Sequence, residues 1–229
     1  MRFAYHVTAS PIGLLFLAGG ERGLRYLEFM DRRSLKRMIE SHAQHLPDAT
    51  WEASLLDLKP VVDQLEGYFT GGRTEFDLVL DPVGSDFQRA VWKALREIPH
   101  GETRSYGQIA RALRQPNAAR AVGLANHDNP IAIIIPCHRV VGADGSLTGY
   151  GGGLPRKRWL LEHEARIQRL DLGLAPALHA ADHPAPEHPV SPVPERRAAA
   201  ATRDAGRTPA RRTPARSAAP KSTPRRPSR

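Results

Sequence analysis

The chain has 229 residues and a net charge of +9, enough length for one or two domains with cores of their own. Its single cysteine excludes an internal disulfide and a cysteine-rich zinc site, and fits a reducing cytoplasm. No apolar run approaches the roughly 20 residues a membrane span needs, and Met1-Arg2-Phe3-Ala4-Tyr5-His6 lacks the apolar core and cleavage site of a secretory signal.

Phe3–Thr8, Leu14–Ala18 and Leu24–Glu28 are short apolar or alternating runs, separated by the turn signals Ser10-Pro11-Ile12-Gly13 and Gly19-Gly20-Glu21-Arg22-Gly23. This pattern predicts an antiparallel meander. Helices are expected over Arg33–Leu46 and Leu55–Tyr68, the second with Leu58, Val62, Leu65 and Tyr68 near one face. Phe76–Leu80 reads as a returning strand, and Asp81-Pro82-Val83-Gly84 as a linker. Residues 1–82 therefore form a small α+β domain.

The second unit, 83–170, is predicted to be mostly helical. Ser85-Asp86 can cap a helix carrying Phe87, Val91, Trp92, Leu95 and Ile98, and Pro99-His100-Gly101 ends it. Ser105 caps Tyr106–Leu113. Arg114-Gln115-Pro116 breaks the chain, and Asn117 caps Ala118–Asn126. Two short helices around a tight turn have the outline of a helix-turn-helix, an outline that many structural helix pairs share. Ile131–Ile135 reads as a buried strand ended by Pro136, which turns Cys137 and His138 towards a surface or pocket. The lone thiol is either a packed core group or a nucleophile. Pro155 opens a last helix to about Ile167, with Trp159, Leu160 and Leu161 towards the core.

The tail, 171–229, holds 11 of the 20 prolines, no aromatic residue, and 11 Lys+Arg against 5 Asp+Glu, so it carries +6 of the net charge. Such a segment cannot bury enough apolar surface to offset its ordering entropy, and disorder is expected. Arg207-Thr208-Pro209-Ala210-Arg211 repeats directly as Arg212-Thr213-Pro214-Ala215-Arg216. A basic arm of this kind attracts polyphosphate without sequence preference, or serves only to solubilise.

Four segments between Phe87 and Glu164 carry a resemblance: FQRAVWKALREIPHGETRSYGQIARAL, NAARAVGLANHDNP, IPCHRVVGADGSLTGYGGGL and KRWLLEHE. Together they strongly resemble the 6-O-alkylguanine-DNA alkyltransferases, the methylated-DNA–protein-cysteine methyltransferases that repair DNA by direct reversal. Residues 1–82 resemble, more loosely, that family's ribonuclease-H-like domain. The implied fold class is α+β: that domain, then a helix-turn-helix (winged-helix-like) alkyltransferase domain, then the tail.

The resemblance implies a suicide enzyme that moves a methyl or other alkyl group from 6-O-alkylguanine, and as a second substrate 4-O-alkylthymine, onto Cys137. The residue type suits the chemistry. Displacement at carbon needs a soft, strong nucleophile, and thiolate is the best side chain for it. His138 would be the general base and Glu164 the carboxylate orienting it. Tyr106 would crowd the neighbouring phosphate and meet the extruded base, and Arg120 would fill the gap in the stack. Asn129 would tie the helix to the cysteine turn. Val140, Tyr150, Gly151, Gly152 and Gly153 would line the base pocket. Small residues on the second helix (Ala118, Ala119, Ala121, Gly123 and Ala125) would allow close approach through the minor groove. Arg139 reads as a structural charge pair as readily as a catalyst.

The implied partner is double-stranded DNA bearing alkylated guanine, bound by a cytoplasmic monomer with no cofactor and no membrane association. No zinc is expected, because His6, His42 and His45 lack ligand spacing. The phosphotriester-sensing regulator domain of some bacterial relatives has no counterpart here. Two rivals remain. One is a lesion-binding module of the alkyltransferase-like kind, which the presence of Cys137 opposes. The other is a cysteine hydrolase using Cys137, His138 and Glu164 with repeated turnover.

Overall fold

The computed structural model describes residues 1–31 and 33–174; the expectation of a disordered tail lies outside the described residues beyond 174. Three strands form the expected meander: β1 (Arg2–Thr8), β2 (Leu15–Gly20) and β3 (Gly23–Phe29). A fourth, β4 (Thr50–Ala53), escaped the sequence reading. It lies parallel to β1 and completes the order β3-β2-β1-β4.

Period-two alternation divides β2 between two cores. Leu15 and Leu17 face the large core shared with the rest of the molecule. Phe16 and Ala18 face a smaller one closed by Met38 of α1 (Leu35–Ala43). Helix α2 (Leu55–Phe69) covers the first face with Leu58, Val61, Leu65 and Tyr68; Val61 takes the place expected for Val62, which is only partly buried. A fully buried Leu or Phe is worth roughly 1.5–3 kcal/mol, so these positions commit α2 to the sheet. Phe76–Leu80 is not a strand. It makes one isolated bridge, Leu80 to Leu24, because its backbone runs over the β3 edge without continuing a ladder.

The helical part begins with α3 (Asp86–Arg96), opened by a capping box in which Ser85 and Gln88 satisfy each other's backbone N–H groups. A second such box, Ser105 with Gln108, opens α4 (Tyr106–Ala112). Helix α5 (Ala119–His127) completes the helix-turn-helix. The expected Asn117 cap is absent: the cap position is Ala118, whose methyl side chain can accept no bond from the first-turn N–H groups. The Trp92 indole N–H donates to the Ala125 carbonyl at 2.8 Å and pins α3 to α5.

Ile131–Ile135 is buried, as expected, but is a series of tight turns rather than a strand. Leu27 pairs its backbone with Pro130 and Ala132 on either side of Ile131. Ile133 then takes φ 69°, closed by a bond from Ile134 N–H to the Ala132 carbonyl. A β-branched residue there is strained by about 1–3 kcal/mol, and burial of Ile131, Ile133, Ile134 and Ile135 holds it. Cys137–Arg139 forms a single 3-10 turn. After it, β6 (Val140–Val141) pairs with β5 (Arg104–Ser105), which joins the cysteine turn to the start of α4. The last helix, α6 (Leu154–Asp171), runs four residues past its expected end, and Leu161 is only partly buried on it.

Candidate active site

Cys137 is buried, at 5% exposure, in the turn between the isoleucine segment and β6. Asn129 holds it from two sides. Its Nδ2 donates to the Ile135 carbonyl at 2.8 Å and to Cys137 Sγ at 3.1 Å, while its Oδ1 accepts the Ile131 N–H. Asn126, on α5, donates to the Cys137 carbonyl at 3.3 Å. Burial pushes the thiol up to about 11, against the opposing pull of the Asn129 donor and the Lys157 charge. At neutral pH the sulfur therefore keeps its proton.

His138 and Glu164 are both fully buried. His138 Nε2 lies 2.8 Å from Glu164 Oε1. That carboxylate also accepts from the Tyr68 hydroxyl (2.7 Å), the Gly101 N–H (3.0 Å), Arg139 Nε (2.9 Å) and Arg139 Nη2 (3.0 Å). Burial alone would push the Glu164 carboxyl up; His138 and Arg139 outweigh it and hold the group far below the usual carboxylate range. Burial lowers His138, although Glu164 pulls the other way. An ionised Glu164 can only accept, so Nε2 carries the imidazole proton. Nδ1 then presents its lone pair, and it has no hydrogen-bond partner among the described residues. Arg139, left open as a structural pair or a catalyst, donates to the Ile98 carbonyl at 2.6 Å besides Glu164, bracing the end of α3.

The remaining residues named from the sequence surround this centre unevenly. Tyr106 opens α4, its ring beside Gly123 of α5 and its hydroxyl 3.4 Å from Thr148 Oγ1. Arg120 is exposed near the start of α5 and stands apart from the buried cluster. Val140 is buried, and its carbonyl accepts from Lys157. Tyr150 meets Phe29 edge to face at 6.1 Å, and its hydroxyl is buried without a partner among the described residues. Gly151 is exposed and Gly152 buried; a side chain at Gly152 would collide with the Phe29 ring.

Three contributors escaped the sequence reading. Tyr68 was seen only as a core position. Lys157 is fully buried, donates to the Val140 and Thr148 carbonyls, and is lowered to about 8 by that burial. Arg156 donates to the Ile12 carbonyl at 2.7 Å and the Gly152 carbonyl at 3.0 Å, pairs with Asp31 at 2.6 Å, and lies 4.6 Å over the Phe29 ring. It clamps the Tyr150–Gly153 loop to the N-terminal sheet. A signal existed for both cations, since they fall four and three residues before Leu160 on the core side of α6, but a Lys-Arg run reads as a solvated face.

A meander-and-helix domain, joined to a helix-turn-helix that frames a buried cysteine with a histidine–glutamate pair behind it, defines a two-part protein built around one thiol. The chain belongs to the 6-O-methylguanine DNA methyltransferase family: the family's ribonuclease-like domain matches residues 3–82 and its DNA binding domain residues 86–166. The methylated-DNA–protein-cysteine methyltransferase of Methanosarcina barkeri is 52% identical over 160 residues, covering 70% of this chain and 96% of that one. Its counterpart in Mycobacterium bovis is 53% identical over 170 residues, covering 74% and 97%. Among solved structures, the O6-methylguanine methyltransferase of Mycobacterium tuberculosis superposes with a TM-score of 0.64 at 50% identity, covering 75% of this chain and 98% of that one. The OGT of that organism in complex with DNA does so with 0.61 at 49%, covering 76% and 99%.

Proposed function

We propose that Cys137 is the acceptor in DNA repair by direct reversal, taking a methyl or other alkyl group from 6-O-alkylguanine in double-stranded DNA once per molecule. The observation that carries this is the buried thiol held by Asn129, with an imidazole whose free nitrogen is set by an ionised Glu164.

A sulfur near 11 is not a thiolate at rest. His138 Nδ1 removes its proton through a water, and Glu164 stabilises the imidazolium that results. The anionic sulfur attacks the alkyl carbon in line. The sulfur–carbon bond forms as the carbon–oxygen bond breaks, and its electron pair passes into the purine, which takes up a proton and leaves as ordinary guanine. The thioether has no route back, so the protein is consumed.

The base must leave the stack to reach a buried sulfur, at a cost of a few kcal/mol. Tyr106 strains the neighbouring phosphate, and Arg120, exposed on α5, takes the place of the base. The Val140 carbonyl, Tyr150 and the Gly151–Gly152 backbone hold the extruded guanine. The small residues of α5 favour the minor groove, where readout is shallow. The division into 1–82, 83–170 and 171–229, the monomeric state and the cytoplasmic setting belong to this proposal. No helix among the described residues is long and apolar enough to cross a membrane. In the test, DNA bearing labelled 6-O-methylguanine moves one label per protein onto Cys137. Repeated turnover with release of methanol would favour the hydrolase.

A further inference from the structure

We propose that Tyr68, on the helix that closes the N-terminal sheet, is a positioning residue for the transfer: its hydroxyl fixes the Glu164 oxygen that carries His138 and so sets the proton affinity of the base. The proposal rests on the reading of Cys137 and His138 given above.

The hydroxyl is placed 2.7 Å from Glu164 Oε1, and His138 Nε2 is 2.8 Å from the same atom. Residues 68 and 164 are 96 positions apart and come from the two halves of the molecule. Tyr68 is fully buried, and a packing role would need only its ring. The ring meets Phe69, Phe76, His100 and His163 at centroid distances of 5.3, 5.5, 6.1 and 5.4 Å. Phenylalanine would keep every one of those contacts. Only the hydroxyl reaches the carboxylate.

The other groups facing Glu164 and His138 are already committed. Lys157 of α6, whose charge lowers His138, donates to the Val140 and Thr148 carbonyls. Arg139, from the cysteine turn, is bidentate to it and braced by the Ile98 carbonyl. Gly101 supplies a backbone N–H from the loop after α3, at φ 77°. His100, beside it, and His163, on α6, are both lowered by burial; His163 Nε2 is 2.9 Å from the Tyr68 carbonyl oxygen and its Nδ1 is 3.2 Å from Arg166. Tyr68 is thus the neutral donor on the oxygen that His138 uses. Its bond draws charge out of Oε1 and weakens the hold of Glu164 on the imidazole proton.

The sign follows. Without the hydroxyl, Glu164 becomes more basic and the imidazolium better stabilised, so His138 titrates at higher pH. Transfer needs the neutral ring, so the acid limb of the pH–rate profile moves up.

The experiment measures single-turnover transfer of labelled methyl from 6-O-methylguanine DNA to the full chain across a pH series. Tyr68→Phe is expected to move the acid limb up by about half to one pH unit, a loss of about three- to tenfold below it and little loss above it. Replacing Tyr68 with 3,5-difluorotyrosine keeps the ring and the fold but makes a stronger donor, so the limb should move down. A limb that stays fixed in either variant, or moves the same way in both, overturns the proposal. A uniform drop at every pH in Tyr68→Phe, with no movement in the fluorinated chain, marks Tyr68 as packing alone and also overturns it. If the unaltered chain carries no label on Cys137, it is the acceptor reading that fails.

Discussion

Asn129 Nδ2 stands 3.1 Å from Cys137 Sγ and 2.8 Å from the Ile135 carbonyl oxygen, so one side chain holds both the nucleophile and the strained backbone that presents it. Removing it has two consequences. The sulfur loses the donor that opposes burial, and the turn loses a tie. In Asn129→Ala the thiol should titrate above its present value of about 11, and transfer should slow by about one to two orders of magnitude. The pH dependence of thiol alkylation, followed beside the transfer rate, checks both.

Glu164→Gln should leave Arg139 buried without a counter-charge, at a cost of about 3–5 kcal/mol. The pH dependence of the melting temperature gives a second signature. Because the folded carboxyl lies far below its unfolded value of about 4.3, its contribution is fully present above that value and is lost as pH falls through the folded one. The unaltered chain should therefore lose stability steeply in acid. The variant should start lower and fall less steeply.

Arg156 joins the loop that contains Tyr150 to the Ile12 turn and to Asp31. Arg156→Ala leaves the Ile12 and Gly152 carbonyls without that donor and takes the cation off the Phe29 ring. Stability should fall by about 2–4 kcal/mol, and amide exchange should quicken in the loop at residues 150–153 before it does in α6. Equal exchange in the two proteins would remove the clamp.

Truncation after Leu174 tests the basic arm. Binding to DNA should weaken at low salt and its dependence on salt should flatten, while transfer of the label persists. Unchanged binding would leave the arm without a role on DNA.

The elements set by local chemistry were legible in the residues. Ser85-Asp86 and Ser105 announce helix starts, and the turn-forming separators announce the meander. Strand β4 was not legible, because four largely exposed residues show no alternation and their partner, β1, is far away in sequence, Arg2 pairing with Thr50. Ile131–Ile135 misled because a buried apolar run looks alike as a strand or as packed turns, and nothing local reveals Ile133 at positive φ. At the site, Cys137, His138 and Glu164 came through the resemblance. Tyr68 did not, since its hydroxyl gains meaning only beside a carboxylate 96 residues away.

Peptide mass spectrometry of the protein spent on DNA bearing 6-O-methylguanine tests the central claim most directly. One added methyl, on the peptide containing Cys137 and on its sulfur, is the predicted result. Restored guanine in the DNA with Cys137 unmodified would contradict the account.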